Sequence, residues 1–256
     1  MTQSTDSVLA NITQAIQAAS APERAAQAQR FFKTGPGEYG EGDTFLGLTM
    51  PEQRRIAKQF FVQSTLETVQ MLLESPWHEY RMVGLLILTY QYPKATNTTQ
   101  KQLFEFYLKN TAFINNWDLV DVTCHEIVGT YLLAHPKLIP KLTQMASRGT
   151  LWEKRIAMVS TYAFIRQAKQ SPDHDLSVPV QIATVLVNEK HDLLQKAVGW
   201  MLREVGKVDE AVLLSFLDTH AATMPRTSLR YSLERLSPQQ KQWYMGLAKK
   251  QSIETD

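Results

Sequence analysis

Apolar residues recur at helical spacing along nearly the whole chain of 256 residues, and short breakers containing proline or glycine divide the periodic segments. The alternation typical of β-strands is scarce. Helices of ten to twenty residues joined by short turns favour an all-α fold in which antiparallel helix pairs stack in series. The predicted helices are 3–19, 22–32, 50–61, 65–74, 77–91, 97–109, 116–134, 136–147, 150–168, 176–188, 190–206, 208–220, 225–235 and 238–250.

A repeat links five of these helices. It aligns the segments 80–86, 120–126, 154–160, 195–201 and 229–235 on their second residues, which we call the register positions: Arg81, Asp121, Arg155, Lys196 and Arg230. Their separations of 40, 34, 41 and 34 residues are typical of two-helix solenoid repeats. Arg55 is a candidate sixth member at a shorter spacing.

Equivalent positions of a solenoid line one side of the superhelix, so the register positions predict a basic surface that contains one carboxylate. The net charge of the chain is only +2, and this surface would therefore arise from the placement of charges rather than from their excess. A polyanion such as nucleic acid suits it. The alternative interpretation is that each Arg or Lys lies on a solvated helix face with its stem packed on apolar neighbours.

The carboxylate of Asp121 stands out because it follows Trp117 by one helical turn, with Cys124 and Val128 at further helical spacings. Trp200 likewise follows Lys196 by one turn. A carboxylate beside aromatic rings suits a cationic substrate or a transition state with positive character. The alternative for Asp121 is a structural salt bridge to a basic neighbour.

Other aromatic and thiol side chains are better explained by packing. Trp77 and Trp152 are predicted to be core anchors, and Cys124 is predicted to be a small packed residue. A lone cysteine excludes an internal disulfide framework, and the six histidines show no paired metal-ligand spacing. We predict no metal and no cofactor. The first twenty residues do not resemble a signal peptide, so a cytoplasmic protein is expected.

A glycine-rich loop at about 33–47 interrupts the helices. Its core, Lys33–Asp43, holds four glycines and a proline but lacks the preceding strand and the Gly-Lys-Ser/Thr ending of a phosphate loop. It also carries three acidic residues. A flexible loop with an exposed Tyr39 remains, which either touches a ligand or simply joins helices.

Three segments resemble motifs of one known family. NWDLVD at 116–121, LWEKRI at 151–156 and QKAVGWMLRE at 195–204 resemble motifs of the AlkD-type DNA glycosylases, the DNA alkylation-repair proteins built from HEAT-like helical repeats. Phe-Leu-Gly at 45–47, followed by PEQRR at 51–55, resembles the N-terminal segment of that family. The matches run in order from about residue 30 to 205, and together they are specific.

The resemblance implies a single HEAT-like DNA-binding domain over 1–256, folded as a curved solenoid of antiparallel helix pairs that clasps double-stranded DNA. It implies excision of cationic alkylated purines, 7-methylguanine and 3-methyladenine, in base excision repair. By resemblance, the catalytic aspartate is Asp121, the active-site tryptophans are Trp117 and Trp200, and the phosphate-contacting arginine is Arg155. The repeat adds Arg81, Lys196, Arg230 and Arg55 as DNA-binding residues.

The resemblance has two departures. The best-known family members have a tyrosine in the helix before the Phe-Leu-Gly segment, where this chain has Phe31 or Phe32, and the loop at 35–43 looks like an insertion relative to them. We expect a monomer. Two alternative functions are a non-catalytic HEAT-like DNA-binding protein and a protein-interaction scaffold, and salt-sensitive binding to duplex DNA separates the scaffold from the other two.

Overall fold

The computed structural model describes residues 5–171, 173 and 175–254, which fold into helices joined by short turns. The described part contains no β-strand, although an isolated β-bridge pairs Thr44 with Trp77. The predicted all-α class is confirmed, and the first two residues of the predicted helix 3–19 lie outside the described part. The α-helices are α1 Thr5–Ala18, α2 Pro22–Phe31, α3 Met50–Phe60, α4 Leu66–Leu73, α5 His78–Gln91, α6 Asn97–Lys109, α7 Trp117–Cys124, α8 Thr130–Ala134, α9 Pro140–Arg148, α10 Leu151–Ser160, α11 Tyr162–Ala168, α12 Ser177–Leu186, α13 Asp192–Val208, α14 Glu210–His220, α15 Arg226–Ser232 and α16 Pro238–Glu254.

Shorter helical turns link these elements. Single 3₁₀ turns occupy Tyr92–Lys94, Thr111–Phe113, Pro136–Leu138 and Leu233–Arg235, and a π-helical turn occupies His125–Gly129. The chain divides into two compact units, Met1–Thr123 and Cys124–Asp256. The predicted solenoid and the single domain stay predictions.

The first unit is organised around α5. This helix packs against α1, α3 and α4, and its apolar run from Met82 to Leu88 is almost fully buried. Burial of each such side chain contributes roughly 1.5–3 kcal/mol relative to exposure. A helix that is apolar on all sides must be surrounded by others, so α5 is the core helix of this unit.

The second unit is organised around α13, which packs against α10, α12, α14 and α15. The contact of α13 with α15 depends on Gly199, because a Cβ atom there would lie 2.5 Å from the carbonyl oxygen of Ser228. Gly129 permits a similar approach to Ser160, whose carbonyl oxygen would overlap a Cβ atom at position 129. The two backbones in each pair are therefore too close for any side chain larger than hydrogen.

Two predicted helices are divided in the structure. The helix predicted at 116–134 contains the π-helical turn, which interrupts the α spacing, so the predicted alignment of Val128 with Trp117 does not hold. The helix predicted at 150–168 is divided at Thr161, whose hydroxyl donates to the carbonyl oxygen of Met158 at 2.6 Å. Such back-bonding by a hydroxyl competes with the helical hydrogen bond.

None of the helices in the described residues is both long enough and apolar enough to cross a membrane.

Candidate active site

The register positions lie at equivalent places in their helices. Arg81 is the fourth residue of α5, and Asp121, Arg155, Lys196 and Arg230 are the fifth residues of α7, α10, α13 and α15. Each side chain therefore leaves its helix just after the first turn. The register comes from the sequence alone, and the helix starts agree with it.

The environments of the basic register positions differ sharply. Arg230 and the candidate sixth member, Arg55, are exposed, and the Lys196 side chain is 39% exposed and pairs with Asp192 at 2.7 Å. Arg81 and Arg155, in contrast, are each 5% exposed. The basic register positions therefore differ in exposure, and their contacts with DNA stay predictions.

Arg81 requires a correction. Its guanidinium pairs with the buried carboxylate of Asp43 and also donates to the carbonyl oxygens of Ser75 and Pro76, at 3.2 and 3.3 Å. A buried arginine that neutralises a buried aspartate has a structural role, which corrects the expectation that Arg81 lies on an open basic surface; a DNA contact by Arg81 stays a prediction. The internal partner exists because the glycine-rich loop brings Asp43 to α5.

Arg155 also has an internal partner. Its Nη1 atom donates to the carbonyl oxygen of Leu193, the second residue of α13. This bond orients the guanidinium within the second unit. A phosphate contact by Arg155 stays a prediction.

Trp117 and Asp121 lie one turn apart at the start of α7, and both side chains are half-buried. The i, i+4 spacing places them on one helix face, as predicted. Cys124, the next residue of that face, is a fully buried thiol, which confirms its prediction as a packed residue. The face thus changes from buried to partly open within two turns.

An aromatic group surrounds Trp117. Phe32 stacks on its indole at a centroid distance of 5.3 Å, and the ring of Phe31 meets the indole edge-on at 5.9 Å. Phe31 is 66% exposed. The Phe32 ring also stacks on Phe45 at 4.9 Å, and Phe45 stacks on His78 at 4.6 Å. Trp117 therefore lies at the open end of a continuous stack of rings.

Beside this stack lies a charge cluster of the buried residues Asp43, His78 and Arg81 and the partly buried Asp118. His78 Nδ1 lies 3.0 Å from Asp43 Oδ2, and His78 Nε2 lies 2.9 Å from Asp118 Oδ2. Carboxylates accept hydrogen bonds and a neutral imidazole donates only one, so two carboxylate partners require the doubly protonated ring. The cluster then holds two negative and two positive charges.

The pKa values of the cluster agree with this assignment. Burial alone would lower the pKa of His78, but the carboxylates of Asp118 and Asp43 outweigh it and raise that pKa to about 9. Burial would raise the pKa of Asp43, but His78, Arg81 and Asn116 lower it to about 2. Both groups are therefore charged at neutral pH.

The glycine-rich loop is held against this site. The hydroxyl of Tyr39 accepts a hydrogen bond from Trp117 Nε1 at 3.3 Å, and the side chain of Tyr39 is half-buried. The prediction of a flexible loop with an exposed tyrosine is therefore corrected. The loop was expected either to touch a ligand or simply to join helices, and a mere connection does not account for the hydrogen bond between Tyr39 and Trp117.

In the second unit, Trp200 lies on α13 and is half-buried. Its ring lies 6.3 Å from that of Tyr162, which in turn meets His125 edge-on at 5.3 Å. Burial lowers the pKa of His125, with Arg166 adding to the effect and Glu126 opposing it. Trp200 thus belongs to an aromatic group of its own.

Two other tryptophans are predicted to anchor the core. Trp77, the N-cap residue that precedes α5, is 38% exposed, so the prediction that it anchors the core is wrong. Trp152 is half-buried near the start of α10.

The sequence interpretation missed His78, Asp118 and Asp43. His78 and Asp118 carried a signal, because they are separated by 40 residues, as are Arg81 and Asp121. They therefore occupy equivalent places in adjacent repeats, where side chains meet. Asp43 carried no comparable signal because it comes from the loop.

No group of three or more His, Cys, Asp and Glu side chains in the described part of the chain is arranged to hold a metal ion. The carboxylates of the charge cluster are instead engaged by nitrogen donors.

Comparisons with known proteins agree with the motifs. Residues 12–236 match the family model of the DNA alkylation repair enzymes. The fold is similar to a solved structure described as a predicted DNA alkylation repair enzyme from Enterococcus faecalis, with a TM-score of 0.65 and 15% sequence identity. The match covers 86% of this chain and 97% of that one, and at this identity it shows a shared fold. No curated protein sequence matches the chain.

Proposed function

Because the chain belongs to the DNA alkylation repair family, we propose that it is a DNA N-glycosylase that excises cationic alkylated purines from duplex DNA. The substrates would be 7-methylguanine and 3-methyladenine, and the reaction would begin base excision repair. The observation that carries the proposal is the pair Trp117 and Asp121, half-buried on one face of α7 within the matched region.

The chemistry of these substrates suits such a pair. N-alkylation leaves the purine positively charged, so the base departs as a neutral molecule and needs little acid assistance. The remaining barrier is the positive charge that develops on the deoxyribose, as it does on the sugar in glycoside hydrolysis. An ionised Asp121 would stabilise this oxocarbenium-like sugar and orient the attacking water.

The aromatic and basic residues would support this step. Trp117 and Trp200 would pack against the sugar and the DNA backbone, where each ring contributes roughly 0.5–2 kcal/mol of cation–π stabilisation. Arg155 would bind a phosphate next to the lesion. Both tryptophans are half-buried and so retain surface for such contacts.

The exposed cations would supply general affinity for DNA. Lys196, Arg230 and Arg55 are the members of the basic set that retain exposed side chains. Contacts of this kind go to phosphates and are independent of sequence, so binding would weaken as salt rises.

Base release from methylated duplex DNA tests the proposal. Asp121→Asn removes the charge while keeping the size of the side chain, so we expect release of 7-methylguanine to be lost while DNA affinity stays nearly unchanged. The matched control is Asp6→Asn, which changes an exposed aspartate on α1 and should leave release intact.

Two outcomes would contradict the proposal. Equal release by the wild type and Asp121→Asn would refute the role of Asp121. Salt-sensitive DNA binding without base release by either protein would instead identify a non-catalytic DNA-binding member of the family.

A further inference from the structure

The glycine-rich loop contacts Trp117 directly. Tyr39 accepts a hydrogen bond from the indole Nε1 at 3.3 Å, and its hydroxyl lies 3.5 Å from the carbonyl oxygen of Phe31. Phe32, just before the loop, stacks on a face of the same indole at an interplanar angle of 23°. The indole of Trp117 is therefore held at its N–H edge by Tyr39 and on one face by Phe32, and these two contacts restrict rotation of the ring.

The loop also holds the residues on either side of Trp117. Asp43 accepts a hydrogen bond from Asn116 Nδ2 at 3.0 Å, and the Oδ1 atom of Asn116 accepts the backbone N–H of Trp117 at 2.8 Å. On the other side, His78 connects Asp43 to Asp118. Asn116 and the first two residues of α7 are thus tied to Tyr39 and Asp43 of the loop, Asp118 through His78.

The loop has a defined conformation of its own. Gly37 and Gly42 adopt φ angles of 75° and 83°, in the left-handed region that favours glycine. The carboxylate of Glu41 accepts the backbone N–H of Gly37 at 2.9 Å, and that of Glu38 accepts the N–H of Gly35 at 3.0 Å. The side chains of Glu38 and Glu41 are therefore engaged in hydrogen bonds within the loop, and these bonds shape the turn that presents Tyr39.

We propose that this loop is a clamp on Trp117, in which Tyr39 and Asp43 are positioning residues that set the orientation of the indole toward the substrate. The inference rests on the proposed function, because it assigns the clamp to the same reaction. Since Tyr39 occupies the indole N–H and Phe32 covers a ring face, the substrate meets the remaining carbon surface of the indole. This surface suits packing against a cationic sugar rather than hydrogen bonding to a phosphate.

An NMR experiment on the protein without DNA tests the clamp itself. The chain has five tryptophans, so ¹⁵N-labelled indoles give few Nε1–H signals, and Trp117→Phe identifies that of Trp117. Tyr39→Phe should move this one signal and make its exchange with solvent roughly fivefold faster, the factor expected for the loss of one hydrogen bond. The matched control is Tyr90→Phe, because the buried Tyr90 hydroxyl has no hydrogen-bond partner in the described residues.

Single-turnover kinetics test the consequence for the reaction. We expect Tyr39→Phe to lower the rate of base release roughly five- to tenfold while the Kd for DNA changes less than about twofold, because positioning acts on the chemical step. Asp43→Asn should lower the rate further, and circular dichroism reports whether it folds. If Asp43→Asn does not fold, the single-turnover rate of Tyr39→Phe alone tests whether the loop acts on the chemical step.

The clamp is refuted if the Trp117 signal stays in place in folded Tyr39→Phe, or if the signal moves and the rate is unchanged. A wild-type protein that releases no base refutes the proposed glycosylase instead. In that case the NMR signal alone decides whether the loop positions Trp117, so the two failures are distinguishable.

Discussion

Replacement of His78 by glutamine tests the buried charge cluster. His78 is 2% exposed and faces Asp43 of the loop and Asp118 of α7, with Arg81 of α5 on the far side of Asp43. Glutamine has a similar length but carries no charge. It leaves the buried carboxylate of Asp43 and the partly buried carboxylate of Asp118 with the single cation of Arg81.

The magnitude follows from the pKa of His78. Its folded-state pKa, about 9, lies above the ordinary value of 6.5, which corresponds to ~3 kcal/mol of unfolding free energy. A raised pKa stabilises the protein fully below the unfolded-state value, and the contribution is lost as pH rises through about 9. The wild type should therefore exceed His78→Gln by ~3 kcal/mol at pH about 6, and the excess should disappear by pH about 10.

Urea unfolding followed by circular dichroism measures this excess. The difference between wild type and His78→Gln, taken at several pH values, cancels titrations elsewhere in the chain. His220→Gln is the control, because His220 lies on α14 outside the cluster. Parallel stability curves for wild type and His78→Gln, or an imidazole NMR titration of His78 near its ordinary pKa of 6.5, would refute the reasoning.

Three further predictions concern packing, capping and DNA binding. Gly199→Ala should lower the free energy of unfolding by ~1–3 kcal/mol, because the added Cβ atom would lie 2.5 Å from the carbonyl oxygen of Ser228. Gly246→Ala is its control in the same urea titration and should not lower that free energy, since a Cβ atom at position 246 would have no neighbouring atom within 4 Å. Thr150→Ala removes the capping box of α10 and should cost ~1 kcal/mol, and an unchanged urea midpoint would contradict this. Arg230→Gln should weaken binding to duplex DNA and reduce the slope of log K against log salt by about 1, measured by fluorescence anisotropy; an unchanged slope would exclude a phosphate contact.

Local patterns in the sequence were sufficient for the fold class and for the places of most helices. Proline begins a helix at Pro22 and Pro238, as predicted, because the first helical position does not need a backbone N–H donor. The repeat register also succeeded, since it placed its five members at the fourth or fifth residue of their helices. Both signals depend on residues close together in the chain.

Burial was not predictable in the same way. Arg81 and Lys196 share a register position, yet one is buried and the other is 39% exposed on its side chain. The difference arises from Asp43, which precedes Arg81 by 38 residues and reaches it through an irregular loop. No periodic pattern encodes such a contact. The role of Tyr39 was hidden for the same reason, because its partner Trp117 lies 78 residues away.

The charge cluster makes its four positions depend on one another. Asp43, His78, Arg81 and Asp118 come from a loop and two helices, and their charges cancel in the interior of the first unit. A substitution at any one of them leaves a buried charge unbalanced, which costs several kcal/mol. A variant that lacks the loop would therefore keep one unbalanced cation on α5, so we expect a stable loop deletion to require a neutral residue at His78 or Arg81 as well.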